Sequence, residues 1–181
     1  MFQLVVFLTG CCCFVATVHA ACNTGPFDAQ KSIVGPGSGL YKLVKTTYKD
    51  EKPCVYVTPT SVKPTKANPQ PYPWGYKENG EWVRKDGEVY GEDNRIVDKD
   101  QVYGTTTTTL VYSDYKTCDV GLFQGGNAGG PHVELWLHSD AKPGSEEVEC
   151  CQKYFQEELT KQKKTFSDAK DVDSGCGDYP K

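Results

Sequence analysis

The chain is 181 residues long, with 20 Lys and Arg against 24 Asp and Glu, a formal net charge of −4 at pH 7 and nine cysteines. Opposite charges are mixed along it rather than segregated, which argues against a nucleic-acid partner, because displacing counterions takes a basic face. The length suits a single domain, and the mild acidity suits a cationic ligand.

Residues 1–20 carry no charged side chain, and 4–8 and 11–18 form a nearly continuous apolar stretch. Val18-His19-Ala20 puts small residues at the two positions a signal peptidase reads, so these residues are read as a secretory signal peptide cleaved after Ala20. The stretch is too short to span a bilayer comfortably, and no later segment is long and apolar enough to try. The mature chain, 21–181, is therefore expected to be one secreted, extracellular domain with no membrane partner, and a monomer. No Asn-x-Ser/Thr sequon is present, so no N-glycan is expected.

Pro26 opens a short helix over 27–33, stopped by Gly35-Pro36-Gly37-Ser38-Gly39. Strand-like runs rich in Val, Tyr, Thr and Trp follow at 40–48, 54–58, 72–77, 81–85, 88–90, 101–112, 117–123 and 132–138. Glu78-Asn79-Gly80 and Lys85-Asp86-Gly87 read as turns between them. Residues 59–73 hold five of the eleven prolines and read as a loop or sheet edge. One long helix runs from Ser145 to about Phe166. Ser145 caps it, Glu146, Glu147 and Glu149 favour the positive end of its dipole, and Val148, Cys151, Tyr154, Phe155 and Leu159 form its apolar stripe. Eight strands, one helix and a cysteine-bearing tail predict a mainly β fold, an up-and-down antiparallel barrel with the helix packed outside.

Three cysteines fall in the signal. The six of the mature chain (Cys22, Cys54, Cys118, Cys150, Cys151 and Cys176) read as three disulfides. Adjacent Cys150 and Cys151 do not suit a mutual bridge, because their Cβ vectors diverge. No C-x-x-C pair occurs, so neither a metal nor a cofactor is expected.

Two late strands carry the chemistry. In Cys118-Asp119-Val120-Gly121-Leu122-Phe123, side chains alternate faces, so Asp119 points into the barrel if Cys118 is tied to a helix outside it. A carboxylate there is costly unless a cation or a hydrogen-bond donor meets it. In 132–138, Glu134 and Trp136 share one face, and Val133, Leu135 and Leu137 the other. Either the aliphatic face fills the barrel and Glu134 meets water, or it packs outward on the helix and Glu134 and Trp136 look inward. Periodicity does not choose between these.

The string Cys118-Asp119-Val120, Glu134-Leu135-Trp136, Cys150 resembles the biogenic-amine-binding signature of tick salivary lipocalins, C-D-[V/I/L] … E-L-W … C. Glu149-Cys150-Cys151 and six mature cysteines resemble the soft-tick branch. The Gly-x-Trp of lipocalins at large is missing near the first strand. The resemblance implies an eight-stranded lipocalin-like barrel with a short N-terminal helix. It also implies an amine held by Asp28, Asp119, Glu134 and Trp136, and the bridges Cys22–Cys150, Cys54–Cys176 and Cys118–Cys151. The ligand it implies is histamine or serotonin, sequestered in saliva to blunt host inflammation and haemostasis. Other members of the fold bind lipid mediators such as leukotriene or thromboxane, or complement C5.

Two carboxylates suit a buried ammonium, and Trp136 offers an aromatic face. Trp74, Trp82 and the tyrosines read as strand core and rim, Asp86, Glu88, Glu92 and Asp93 as a solvated hairpin, and His132 and His138 as surface residues. No G-x-S-x-G, H-E-x-x-H or Gly-rich phosphate loop occurs, so no enzyme is expected.

Overall fold

Eight antiparallel strands wind into a closed barrel: β1 (Tyr41–Thr46), β2 (Tyr56–Val57), β3 (Gln70–Glu78), β4 (Glu81–Glu92), β5 (Arg95–Asp100), β6 (Gly104–Ser113), β7 (Cys118–Gly125) and β8 (Gly129–His138). Each pairs with the next, β8 pairs with β1, and β1 also pairs with β2, so the sheet closes on itself. A two-residue strand, β9 (Lys170–Asp171), adds to β1. A short helix, α1 (Ala29–Val34), and a longer one, α2 (Glu146–Lys161), complete the fold. The computed structural model describes residues 22–180, so the expected signal peptide lies outside the described residues.

Local chemistry explains where the chain turns. Asn79 and Gly80 both have positive φ (53° and 85°) and link Glu78 to its cross-strand partner Glu81. That is the two-residue hairpin whose backbone twist matches the flanking strands. Lys85-Asp86-Gly87, in contrast, is not a turn. β4 runs straight through it, pairing with β3 from Glu81 to Val89, so the two strands expected at 81–85 and 88–90 are one. Gly87 serves packing: a Cβ there would stand 2.8 Å from the ring of Tyr72.

β5 is a strand that the periodicity missed. Its charges (Arg95, Asp98, Lys99, Asp100) break the apolar pattern, yet it pairs fully with β4 and β6. Pro71 and Pro73 lie inside β3. The carbonyl of Pro73 faces Thr58 N–H at 2.9 Å, so the missing proline donor also falls on the side where β2 is only two residues long.

The open question about the late strands is decided by α2. Cys118, Val120, Val133 and Leu135 point outward and pack with Cys151, Phe155 and Leu159 of that helix, all almost completely buried. Asp119, Glu134 and Trp136, alternating with them, therefore look into the barrel. The bridges are Cys22–Cys150, Cys54–Cys176 and Cys118–Cys151, so two of the three tie α2 to the N-terminal segment and the barrel wall. α2 stops at Lys161 rather than near Phe166 because Lys163 turns left-handed (φ 54°) and Lys164 N–H closes on Leu159 O at 2.8 Å.

Candidate functional site

The barrel interior holds two chambers. The first, about 650 Å³ counted out to where it opens to solvent, lies against α1, which contributes Ser32 and Ile33. Its walls are mainly aliphatic, from Val57, Val89, Ile96 and Leu110, with Tyr41, Tyr72 and Trp136. The second, about 460 Å³ counted in the same way, is bordered by the β1–β2 and β5–β6 connections, which supply Glu51 and Tyr103, and by Trp74, Phe123 and Glu134.

Asp119 faces the α1 chamber. Its Oδ2 accepts from Ser32 Oγ at 2.7 Å, whereas Oδ1 is buried and makes no hydrogen bond, although the Ser113 hydroxyl stands near enough to act on the carboxylate. Burial pushes its pKa up to about 6, against the pull of the Ser113 and Ser32 hydroxyls. Tyr41 is 4 % exposed, and its hydroxyl is also buried without a partner. A carboxylate oxygen and a hydroxyl thus stand in one apolar chamber, both lacking the partners that buried polar atoms ordinarily find.

Asp98 borders both chambers. Burial raises its pKa to about 7; the Tyr72 hydroxyl opposes this rise and the charge of Asp100 adds to it. Glu134, 2 % exposed, accepts from the indole N–H of Trp136 at 2.9 Å. Burial first, then the nearby charge of Glu51, holds its carboxyl well above the usual range. Glu51 accepts from the Tyr103 hydroxyl and from Lys52 N–H. No Lys, Arg or His is among the described residues that line either chamber.

The expected ligand residues thus fall into three positions. Asp119 and Glu134 both look inward but into different chambers, with Trp136 bordering both. The register explains the separation: Asp119 sits opposite Trp136, and Glu134 opposite Gly121, two residues along β8. Asp28 lines neither chamber. It is the N-cap of α1, where its Oδ1 accepts from Lys31 N–H at 3.2 Å, and its side chain is 40 % exposed. One turn later on the same helix, Ser32 faces the α1 chamber and bonds Asp119. Ser32→Ala is accordingly expected to weaken binding at Asp119 by about fivefold, near 1 kcal/mol, and to move the pH midpoint of binding upward, as titration calorimetry across pH would read.

Other expectations divide. Trp74 is buried in the wall of the loop chamber, while Trp82 packs on Tyr56 and Tyr179. Asp86, Glu88 and Asp93 are exposed, and Glu92 pairs with Arg95 and Lys66, so this group faces solvent, with its hairpin at Asp93-Asn94. His138 is not a surface residue: it is 4 % exposed, with Nε2 2.7 Å from Ser38 O. The site residues absent from the sequence reading are Asp98, Glu51 and Ser32. Asp98 was findable, since Ile96 and Asp98 alternate on one face directly after the Asp93-Asn94 turn. Glu51 lies in a loop with no pattern to expose it.

A closed antiparallel barrel with an internal cavity and a helix outside defines a lipocalin-like ligand-binding protein. The Tick histamine binding protein family matches residues 21–172, and the chain belongs to that family. Among solved structures it is similar to AM182 in complex with serotonin, at 28 % identity and a TM-score of 0.71 over 89 % of this chain and 100 % of that one. Two more distant likenesses show the fold alone. They are the siderocalin Ex-FABP (11 % identity, TM-score 0.57, 82 % of this chain and 96 % of that one) and the cockroach allergen Per a 4 (17 %, 0.57, 88 % and 99 %).

Proposed function

We propose that this protein is a secreted scavenger that holds one biogenic amine in the α1 chamber, with the ammonium on Asp119 and the ring against Trp136. The observation that carries this reading is the buried, partnerless oxygen of Asp119 facing an apolar cavity beside an aromatic ring. An ammonium supplies the missing donor and the missing charge together, through a charge-assisted hydrogen bond. Glu134 acts at one remove, orienting the Trp136 indole through its N–H.

Serotonin is the first candidate and histamine the second. The likeness to AM182 supports serotonin, and an indole covers more of the aliphatic wall of Val57, Val89, Ile96 and Leu110 than an imidazole does. A lipid mediator with an acidic head is disfavoured, because no basic side chain is found among the described lining residues to meet it. Secretion rests on residues 1–20 and on three disulfides, which persist in oxidising compartments. Removal of host amines at a bite, damping inflammation and haemostasis, is the role such binding would serve.

Isothermal titration of the oxidised protein with serotonin, histamine and leukotriene B4 tests the reading. Saturable one-to-one binding of an amine and none of the leukotriene is expected; leukotriene binding with no amine heat overturns it.

A further inference from the structure

The two chambers adjoin, with Val57, Tyr72, Asp98, Thr108 and Trp136 in the walls of both. Five carboxyls line them: Asp119 in the α1 chamber, Asp98 at the junction, and Glu134, Glu51 and Asp100 in the loop chamber, where Tyr103 and Lys52 already donate to Glu51 and the Val102 and Tyr103 N–H groups to Asp100. Neutral donors meet Asp119, Asp98 and Glu134, namely the Ser32, Ser113, Tyr72 and Thr46 hydroxyls and the Trp136 N–H. The charges that face them from neighbouring elements are mostly negative. Asp114 lies near Asp119, Asp100 near Asp98, and Glu51 near Glu134; Lys170 and His132 act on Glu51 at the rim. One ammonium on Asp119 therefore leaves Asp98 and Glu134 without a counter-charge.

The interior also has the right texture between its charges. Tyr41 Oη and Asp119 Oδ1 wait without partners at one end. Val89, Ile96 and Leu110 line that same chamber, Val57, Tyr72 and Trp136 continue the apolar wall through the junction, and Trp74, Tyr103 and Phe123 border the other end. Methylenes are suited to the wall of Val57, Tyr72 and Trp136, and ammonium groups to the carboxyls on either side of it. Asp119 lies opposite Trp136, and Glu134 is two residues further along β8, about 7 Å of strand. This backbone offset of the two acids sets the scale of ligand to a short α,ω-diamine.

We propose that the barrel takes a linear diamine or polyamine lengthwise, one ammonium on Asp119 and Tyr41 Oη, a second on Glu134 and Asp98, and the methylene chain along Trp136 and Val57. This rests on the amine reading above and extends it from monoamines to a second ligand class. Tethering makes the second contact intramolecular, so it adds affinity without a second loss of translational freedom.

Titration of the oxidised protein with n-butylamine, with the α,ω-diamines from two to six carbons, and with serotonin is the test. The best diamine is expected to bind one per chain, at least about tenfold tighter than n-butylamine, with an optimum near four or five carbons. Glu134→Gln is expected to pull that ratio toward one, with thermal melting used to verify folding. The wild-type spacer series decides the matter even if the variant fails to fold. Diamines no tighter than n-butylamine, affinity independent of spacer, or two diamines per chain overturn the proposal. Serotonin binding alongside such a result leaves the monoamine reading standing. Tenfold tighter diamines without serotonin binding uphold this proposal and remove the serotonin assignment, and no binding of any amine overturns both.

Discussion

Asp119→Asn is expected to weaken amine binding by about 2–4 kcal/mol, the usual cost of removing one partner of a buried hydrogen-bonded charge pair, or roughly 30- to 1000-fold in Kd. The side chain keeps its shape and its acceptor for Ser32 Oγ, so the loss reports charge. Folding should not suffer. The carboxylate stands buried in an apolar chamber without a cation, and its pKa of about 6 shows the ionised form to be disfavoured there. The variant should therefore melt no lower than the parent at pH 8 without ligand, while losing most of its amine affinity. Titration calorimetry paired with ligand-free melting reads both. Unchanged affinity would remove Asp119 from the site, and a collapsed melting temperature would make it a structural residue.

The ligand-free protein is expected to lose stability as pH rises from 5 to 8. Asp98 and Asp119 titrate at about 7 and about 6 in the folded chain, against 3.8 as ordinary carboxyls. The folded state holds these protons more tightly than the unfolded state does. Their contribution is thus fully present below about pH 4 and is lost as pH rises through 6 and then 7. At about 1.4 kcal/mol per pH unit, the two together are worth several kcal/mol, or a fall in Tm on the order of 10 °C. Glu134 acts in the same direction. Asp168, whose carboxyl is lowered by the Thr165 N–H, acts in the opposite sense, at the acid end of the range. Amine binding needs the ionised carboxylates, so affinity should rise over the same interval, and saturating amine should flatten the Tm curve. Melting curves at several pH values, with and without amine, check the sign; a ligand-free Tm that climbs from pH 5 to pH 8 would refute it.

Local chemistry marked out much of this molecule in advance. The Asn79-Gly80 hairpin, the Ser145-capped helix and most strands were legible because turn residues and alternating side chains act over a few neighbours. The errors have the same origin. Lys85-Asp86-Gly87 carries the composition of a turn, but its glycine answers to the ring of Tyr72 across the sheet. β5 carries charges that obscure its pattern, and its pairing on both sides overrides them. Asp98 was lost with that strand.

The site shows the same division. The order Cys118-Asp119-Val120 … Glu134-Leu135-Trp136 was enough to put Asp119 opposite Cys118, and Glu134 with Trp136 on one face, because strand periodicity is a property of the backbone. Which face is inside was settled by α2, whose Cys151, Phe155 and Leu159 cover the aliphatic side and turn the acids inward. Tertiary structure alone divided the interior into two chambers, set Ser32 of α1 rather than Asp28 in the chamber wall, and brought Glu51 and Asp98 from distant segments beside Glu134. The reason is physical. Alternation and capping are decided within a few residues, whereas burial, and the fields of charges far apart in sequence, exist only once the barrel has closed.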